Sequence, residues 1–227
     1  RCLIDAGHEV TMLPTYLPHF LDEEPASDDQ PIFFGGINVY LQHKFSLFRH
    51  TPEWIDRAFN AKWLLRKAAA RSGMTSSKDL GEITLSTFKG EDGPLVKEVQ
   101  KVVDWFREHE KPDVVFLSTI LLAALGRVVK RELNVPVYGF LQGEDSFLDT
   151  LLDEYRTEAM DLLSADVARL DGCIAPSRYF GAEMAKRFNL PEENVRFLPN
   201  GITLDGYSLS ETPPAKPSIG FLARLCP

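Results

Sequence analysis

The chain has 227 residues, enough for one large domain or two small ones with a full core, and its 44% hydrophobic and 26% charged residues are the balance of an ordinary globular protein. A net charge of -8 argues against a nucleic-acid partner and offers nothing to anionic lipid, so a small molecule held by a few local groups is the expected partner. Three dispersed cysteines (Cys2, Cys173, Cys226) without a CxxC pair suit a reducing cytoplasm, and the most apolar run, Val114 to Leu125, is shorter than the ~20 residues an integral membrane segment needs.

In chain order, "RCLIDAGHEV" reads as the last turn of a helix, a stop at Gly7 and a buried strand over Glu9 to Leu13. Pro14 to Gln30, rich in Pro, Asp and Glu, predict an exposed loop. In "PIFFGGINVYLQHK" two apolar runs flank Gly35-Gly36, and Ile37, Val39 and Leu41 alternate with polar neighbours, which predicts a β-hairpin on a primed turn. A phosphate-cradling glycine loop is the alternative, disfavoured because no helix start follows at once. Thr51-Pro52 predict an N-cap and first-turn proline, opening a helix to about Arg71. Ser72 to Gly93 are expected to be loop with a short strand near Ile83 to Leu85. Pro94 then opens a helix with Val96, Val99, Val103 and Phe106 on one face.

From there the rhythm is regular. "DVVFLS", "VPVYGFLQ", "GCIAPS" and "NVRFLP" read as strands. Between them lie helices over "TILLAALGRVVKREL", Phe147 to Leu170 and "RYFGAEMAKRFNL". This alternation predicts an α/β fold, a Rossmann-like parallel sheet with helices on both faces. Residues 1–201 form the expected domain, the proline-rich 202–217 a stiff linker, and "SIGFLARL" within 218–227 the first strand of a second domain. Both ends read as cut inside structural units, so the chain is expected to be a piece of a longer protein.

Ligands of such sheets bind beyond the carboxyl ends of the strands, here at "STI", "QGEDS", "PSRYF" and "PNG". Gln142, Glu144, Asp145 and Ser146 are the densest polar cluster. On one reading Asp145 or Ser146 simply caps the long helix; on the other the group faces a cleft and bonds substrate hydroxyls. The two are compatible, since a cap residue leaves Gln142 and Glu144 free. Adjacent Glu144 and Asp145 point in different directions and make a poor acid/base pair. Ser177 reads as an N-cap, since the G-x-S-x-G elbow of hydrolases is absent. None of the five histidines has metal-ligand spacing, and no cofactor motif is present.

"GHEVTMLP", "PVYGFLQGEDSF", "SRYFGAEMAKRF", "VRFLPNGI" and "GFLARLCP", in that order, resemble the family 4 glycosyltransferases of the GT-B fold. Echoes of starch and glycogen synthases lie around "VYLQHKFSLF". The resemblance implies a retaining, metal-independent transfer of a sugar from a nucleotide diphosphate to an acceptor hydroxyl, in a cleft between two domains. It places the acceptor against Gln142, Gly143, Glu144 and Asp145. The donor falls to Arg224, in "ARL" where relatives carry "GRL", with Asn200 and Gly201 beside it. Many relatives have a histidine where this chain has Gln142, which cannot carry a proton at neutral pH. A sugar-nucleotide epimerase, a phosphorylase and a non-catalytic sugar-binding module are the alternatives.

Overall fold

Four strands, β1 (Val115–Leu117), β2 (Val137–Phe140), β3 (Gly172–Ala175) and β4 (Val195–Phe197), pair in parallel in the order β1-β2-β3-β4. The computed structural model describes residues 2–15, 33–34, 36–51, 77–201 and the separate positions 204, 206, 208, 212, 216, 217 and 219. Around the sheet the described residues form eight α-helices. These are α1 (Cys2–Asp5), α2 (Gly36–Lys44), α3 (Ser77–Lys89), α4 (Val96–Glu108), α5 (Ala123–Leu133), α6 (Glu144–Thr150), α7 (Asp153–Val167) and α8 (Arg178–Arg187). The expected α/β, Rossmann-like parallel sheet is what forms.

Among the described residues the strand order does not reverse, so right-handed crossovers bring the helices that join these strands to one face. Leu117, Gly139, Cys173 and Val195 share that face by register. Close packing there needs small residues. A Cβ on Gly139 would lie 2.8 Å from Cγ2 of Ile120, and one on Gly126 of α5 would lie 2.7 Å from Cδ1 of Leu117. On the opposite face Phe116 stacks on Tyr138 and leans on Phe140, both at 5.9 Å between ring centroids.

Several expectations are corrected. Gly36–Lys44 is helical, so the expected second strand of the hairpin does not form, and the helix start whose absence tells against a glycine loop is present. Asn38, Val39 and Gln42 are buried at helical spacing, so two residues read as the polar face of a strand point inward. Phe33 makes only an isolated parallel bridge to Thr15. The Glu9 to Leu13 strand is absent and Glu9 is exposed, because no described strand offers it a ladder.

The strand expected near Ile83 to Leu85 lies inside α3. Its hydroxyl residues, poor helix formers when they compete with the backbone, here bond the preceding turn. Thr84, Ser86 and Thr87 donate to the carbonyls of Leu80, Glu82 and Ile83 at 2.8, 2.9 and 3.0 Å. In α4, Val99 and Val103 are buried as expected, but Val96 is exposed and the inward face is completed by Glu98 and Val102. The fully buried Glu98 carboxylate accepts from the Phe34 N–H at 3.1 Å and from Gln42 Nε2 and Lys101 Nζ at 2.7 Å each, tying α2 to α4.

The single helix expected over Phe147 to Leu170 is two, because Leu151 and Leu152 are extended. Arg156 covers the break by donating to the Asp149 and Leu151 carbonyls at 3.1 and 2.7 Å. Asp153 and Glu154 then sit in the first turn of α7, where the positive end of the helix dipole favours them. The helix expected beyond Thr51, most of the Pro14 to Gln30 loop, the second-domain strand except Ile219, and Arg224 lie outside the described residues. No described helix is long and apolar enough to cross a membrane.

Candidate functional site

Among the described residues, four loops form the carboxyl edge of the sheet. After β1, Thr119 caps the short 3-10 turn Ile120–Leu122 by accepting from the Leu121 N–H at 3.3 Å. After β2, the Leu141 N–H donates to the Ile174 carbonyl at 2.9 Å, extending the sheet by one bond. The chain then turns through Gly143, whose φ of +95° is left-handed and favours glycine, into α6. After β3, Ser177 Oγ accepts from the Phe180 N–H at 3.0 Å, so Ser177 is the N-cap of α8 as its sequence context predicts. After β4, the Leu198 N–H donates to the Ala175 carbonyl at 2.9 Å, and Pro199, Asn200 and Gly201 follow, exposed.

The "QGED" cluster divides. Gln142 and Gly143 are exposed and Asp145 is half-buried, whereas Glu144 is only 4% exposed. Both of its carboxylate oxygens are engaged: Oε1 accepts from Thr119 Oγ1 at 2.6 Å, and Oε2 from the Gln142 N–H at 2.7 Å. Glu144 is therefore not left free, and neither Asp145 nor Ser146 caps the helix, which starts one residue earlier with Gly143 as an N-cap lacking a side chain. Glu144 and Asp145 point in different directions, as adjacent helical residues must. On the sheet beneath, burial, followed by the charge of Glu144, pushes the Cys173 thiol up to about 12.

Asp145 lines an open groove of about 430 Å³ with Tyr179, Phe180, Glu183, Lys186 and Arg187 of α8. Tyr179 is 77% exposed at its rim. Arg187 is held by Asp149, and that pairing keeps the Asp149 carboxyl below its usual range. On the other flank of the helix start, the Arg178 guanidinium lies 5.0 Å from the centroid of the Phe197 ring, a cation–π contact that fixes the exposed end of β4. Nothing local in the sequence marks Thr119, Arg178 or Tyr179 as site residues within their loops, because burial and neighbours across strands are not written in one loop. Among the described residues no group of three or more His, Cys, Asp and Glu is placed to hold a metal ion.

A parallel α/β sheet whose polar loops, glycine turn and helix starts gather at its carboxyl edge defines a ligand-binding protein of the Rossmann-like class. The pattern of Glycosyltransferase Family 4 matches residues 85–205, more than half of the chain and all four strands with their loops. The chain belongs to that family. Membership makes it, at the coarse level, a glycosyltransferase, with a sugar donor and an acceptor to bind. Among curated proteins none matches the chain.

Proposed function

We propose that the protein transfers a sugar, of the hexosyl type, from a nucleotide diphosphate to a hydroxyl of a carbohydrate or other hydroxylated acceptor, with retention and without a metal. The observation that carries this reading is the family match over residues 85–205, which takes in every loop at the carboxyl edge. In the reading, residues 1–201 are the acceptor-side half of a GT-B architecture, 202–217 the linker, and 218–227 the opening of the donor side, in a reducing cytoplasm.

The acceptor rests against Gln142, Gly143 and Asp145. The exposed Gln142 amide both donates and accepts, which suits a sugar hydroxyl, while the αL turn at Gly143 keeps side-chain bulk out of the approach. Proton transfer is not assigned to Gln142, whose amide has no neutral-pH titration. On the donor side Arg224 grips the diphosphate bidentately and neutralises leaving-group charge as the glycosidic bond breaks, with Asn200 and Gly201 beside it. Because that contact strengthens toward the transition state, it acts on turnover more than on donor affinity.

The test uses the protein expressed from its complete gene. It is incubated with a panel of nucleotide-diphosphate sugars and hydroxylated acceptors, and nucleoside diphosphate release and the anomeric configuration of the product are measured. Release that depends on acceptor, persists in a metal chelator, gives the retained anomer and falls by orders of magnitude in Arg224→Ala supports the reading. No release from any donor, or an unaffected Arg224→Ala protein, overturns it.

A further inference from the structure

Glu144 is the one member of the "QGED" cluster turned away from solvent, and its two oxygens reach two different loops. Oε1 takes the Thr119 hydroxyl from the loop after β1, and Oε2 takes the Gln142 N–H at the end of β2. Thr119 is itself pinned, since its oxygen also accepts from the Leu121 N–H. The two loops are otherwise separate chain segments, 25 residues apart at Thr119 and Glu144. In the second of these loops Gly143 stands at φ +95°, and a Cβ placed on it would meet nothing within 4 Å. A backbone N–H oriented by an immobile carboxylate is a fixed point, and the exposed Gln142 side chain hangs from it.

We infer that Glu144 and Thr119 form a positioning strap, which sets Gln142 and Gly143 at the acceptor site without touching the acceptor. The inference rests on the functional reading above for its kinetic consequence, but the strap itself is a matter of this chain's geometry. What it requires of residue 144 is two correctly placed polar atoms and not a charge that reacts. A glutamine there keeps both contacts: Oε1 accepts from the Gln142 N–H, and Nε2 donates to Thr119 Oγ1 once the hydroxyl rotates away. An alanine keeps neither: the Gln142 N–H loses its acceptor and the Thr119 hydroxyl its carboxylate, leaving Thr119 Oγ1 only the bond it accepts from the Leu121 N–H.

The experiment compares Glu144→Gln, Glu144→Ala, Thr119→Val and the Thr119→Val/Glu144→Ala double variant in the protein from its complete gene. Two measurements are made. The first is acceptor and donor KM with kcat, using the donor–acceptor pair that supports transfer by the unaltered protein. The second is amide hydrogen exchange at Gln142. For Glu144→Ala the expected loss in kcat/KM for acceptor is about a hundredfold, the scale of a 1 Å misplacement, with donor KM unchanged. Glu144→Gln is expected to restore most of that loss. Thr119→Val should shift the same parameter in the same direction, and the double variant should lose less than the two singles combined. Exchange at Gln142 should quicken by about tenfold or more in Glu144→Ala as the local bond opens.

Two kinetic results would overturn the strap: Glu144→Gln as damaged as Glu144→Ala, which would mean that the charge itself acts on substrate, or additive losses in the double variant. If the unaltered protein transfers no sugar at all, the functional reading fails, and exchange decides the strap. Quickened exchange in the alanine but not the glutamine variant supports it, and unchanged exchange in both refutes it.

Discussion

A side chain on Gly81 of α3 would begin 2.3 Å from Cδ2 of Tyr155 on α7, with Cγ and Cε2 at 2.7 and 2.9 Å. The ring occupies the place of a Cβ, so the two helices approach to backbone–ring contact. Two effects oppose one another in Gly81→Ala. Alanine gains up to about 1 kcal/mol of helix propensity, but overlap with three ring atoms forces the helices apart, at about 1–3 kcal/mol. The overlap wins, and the variant should unfold at lower denaturant. In a Tyr155→Ala background the clash is gone, so the same substitution should become neutral or stabilising. Chemical denaturation of the four proteins measures the difference.

Arg127 of α5 holds three acids at once: Glu91 at 3.0 Å, Asp92 at 3.2 Å and Asp166 at 2.9 Å. Its side chain is 18% exposed and that of Asp166 only 8%, whereas Asp92 is 75% exposed. Removing the arginine strands a buried carboxylate with the outlying Arg169, so Arg127→Ala should cost about 3 kcal/mol. Asp92→Ala, where water already screens the pair, should shift stability by no more than about 0.5 kcal/mol. Equal losses in the two variants would refute this ranking.

Stability should fall on acidification, and the sign follows from the carboxyls concerned. The Glu91 carboxyl is held below its ordinary value of 4.5 by Arg131 first and Arg127 after. A depressed carboxyl stabilises the fold fully above its unfolded value, and the contribution disappears as pH drops through the folded one. Asp149 behaves likewise, but its side chain is 60% exposed and solvent weakens its share. Asp166 has the opposite sign: burial raises its carboxyl despite Arg127, so its cost is relieved in acid. The unfolding free energy should therefore decline below about pH 4.5, and Glu91→Gln should flatten that decline. A pH series of denaturation curves reads both slopes.

Cys173 should resist alkylation while the protein is folded. With the thiol pushed up to about 12, the thiolate fraction at pH 8 is on the order of 10⁻⁴, against roughly a quarter for an ordinary thiol. Peptide mapping after iodoacetamide should find Cys173 unmodified in the native protein and modified once denaturant is added. Rapid native modification would show that the strand opens to solvent.

From Val115 to Phe197 the alternation of strand and helix is legible in the sequence because each strand is a short apolar run. The break at Leu151 and Leu152 that divides the helix after β2 is not, since an apolar Leu pair gives no local stop signal. Ser177 was recognised as a cap because the signal is local: a hydroxyl residue followed directly by a helical pattern. α3 is not legible in the sequence, because Gly81, Thr84, Ser86 and Thr87 lower helix propensity. What compensates them, the Tyr155 ring and the bonds to the preceding carbonyls, depends on packing and on the helix already being formed. The same limit applies to α2, where Asn38 and Gln42 read as a solvent face because the buried Glu98 that accepts from Gln42 lies 56 residues away. At the site, sequence marked the loop but not its division. That Glu144 faces inward depends on Thr119, and a loop read alone does not show which of its acids has a partner one strand over.

The unreversed strand order has a consequence for how the molecule is assembled. Across paired strands the sequence separation is 22, 34 and 22 residues, from Val115 to Val137, Tyr138 to Gly172 and Cys173 to Val195. Each new strand finds its neighbour already in place, with one crossover as the closing loop, so entropy is lost in small instalments rather than in one long-range closure. The sheet can thus grow strand by strand in the direction of synthesis, and the growing edge at any moment is the most recently made strand. A stall or truncation between Val137 and Ala175 would leave that edge, with its unpaired N–H and C=O groups, open to other chains.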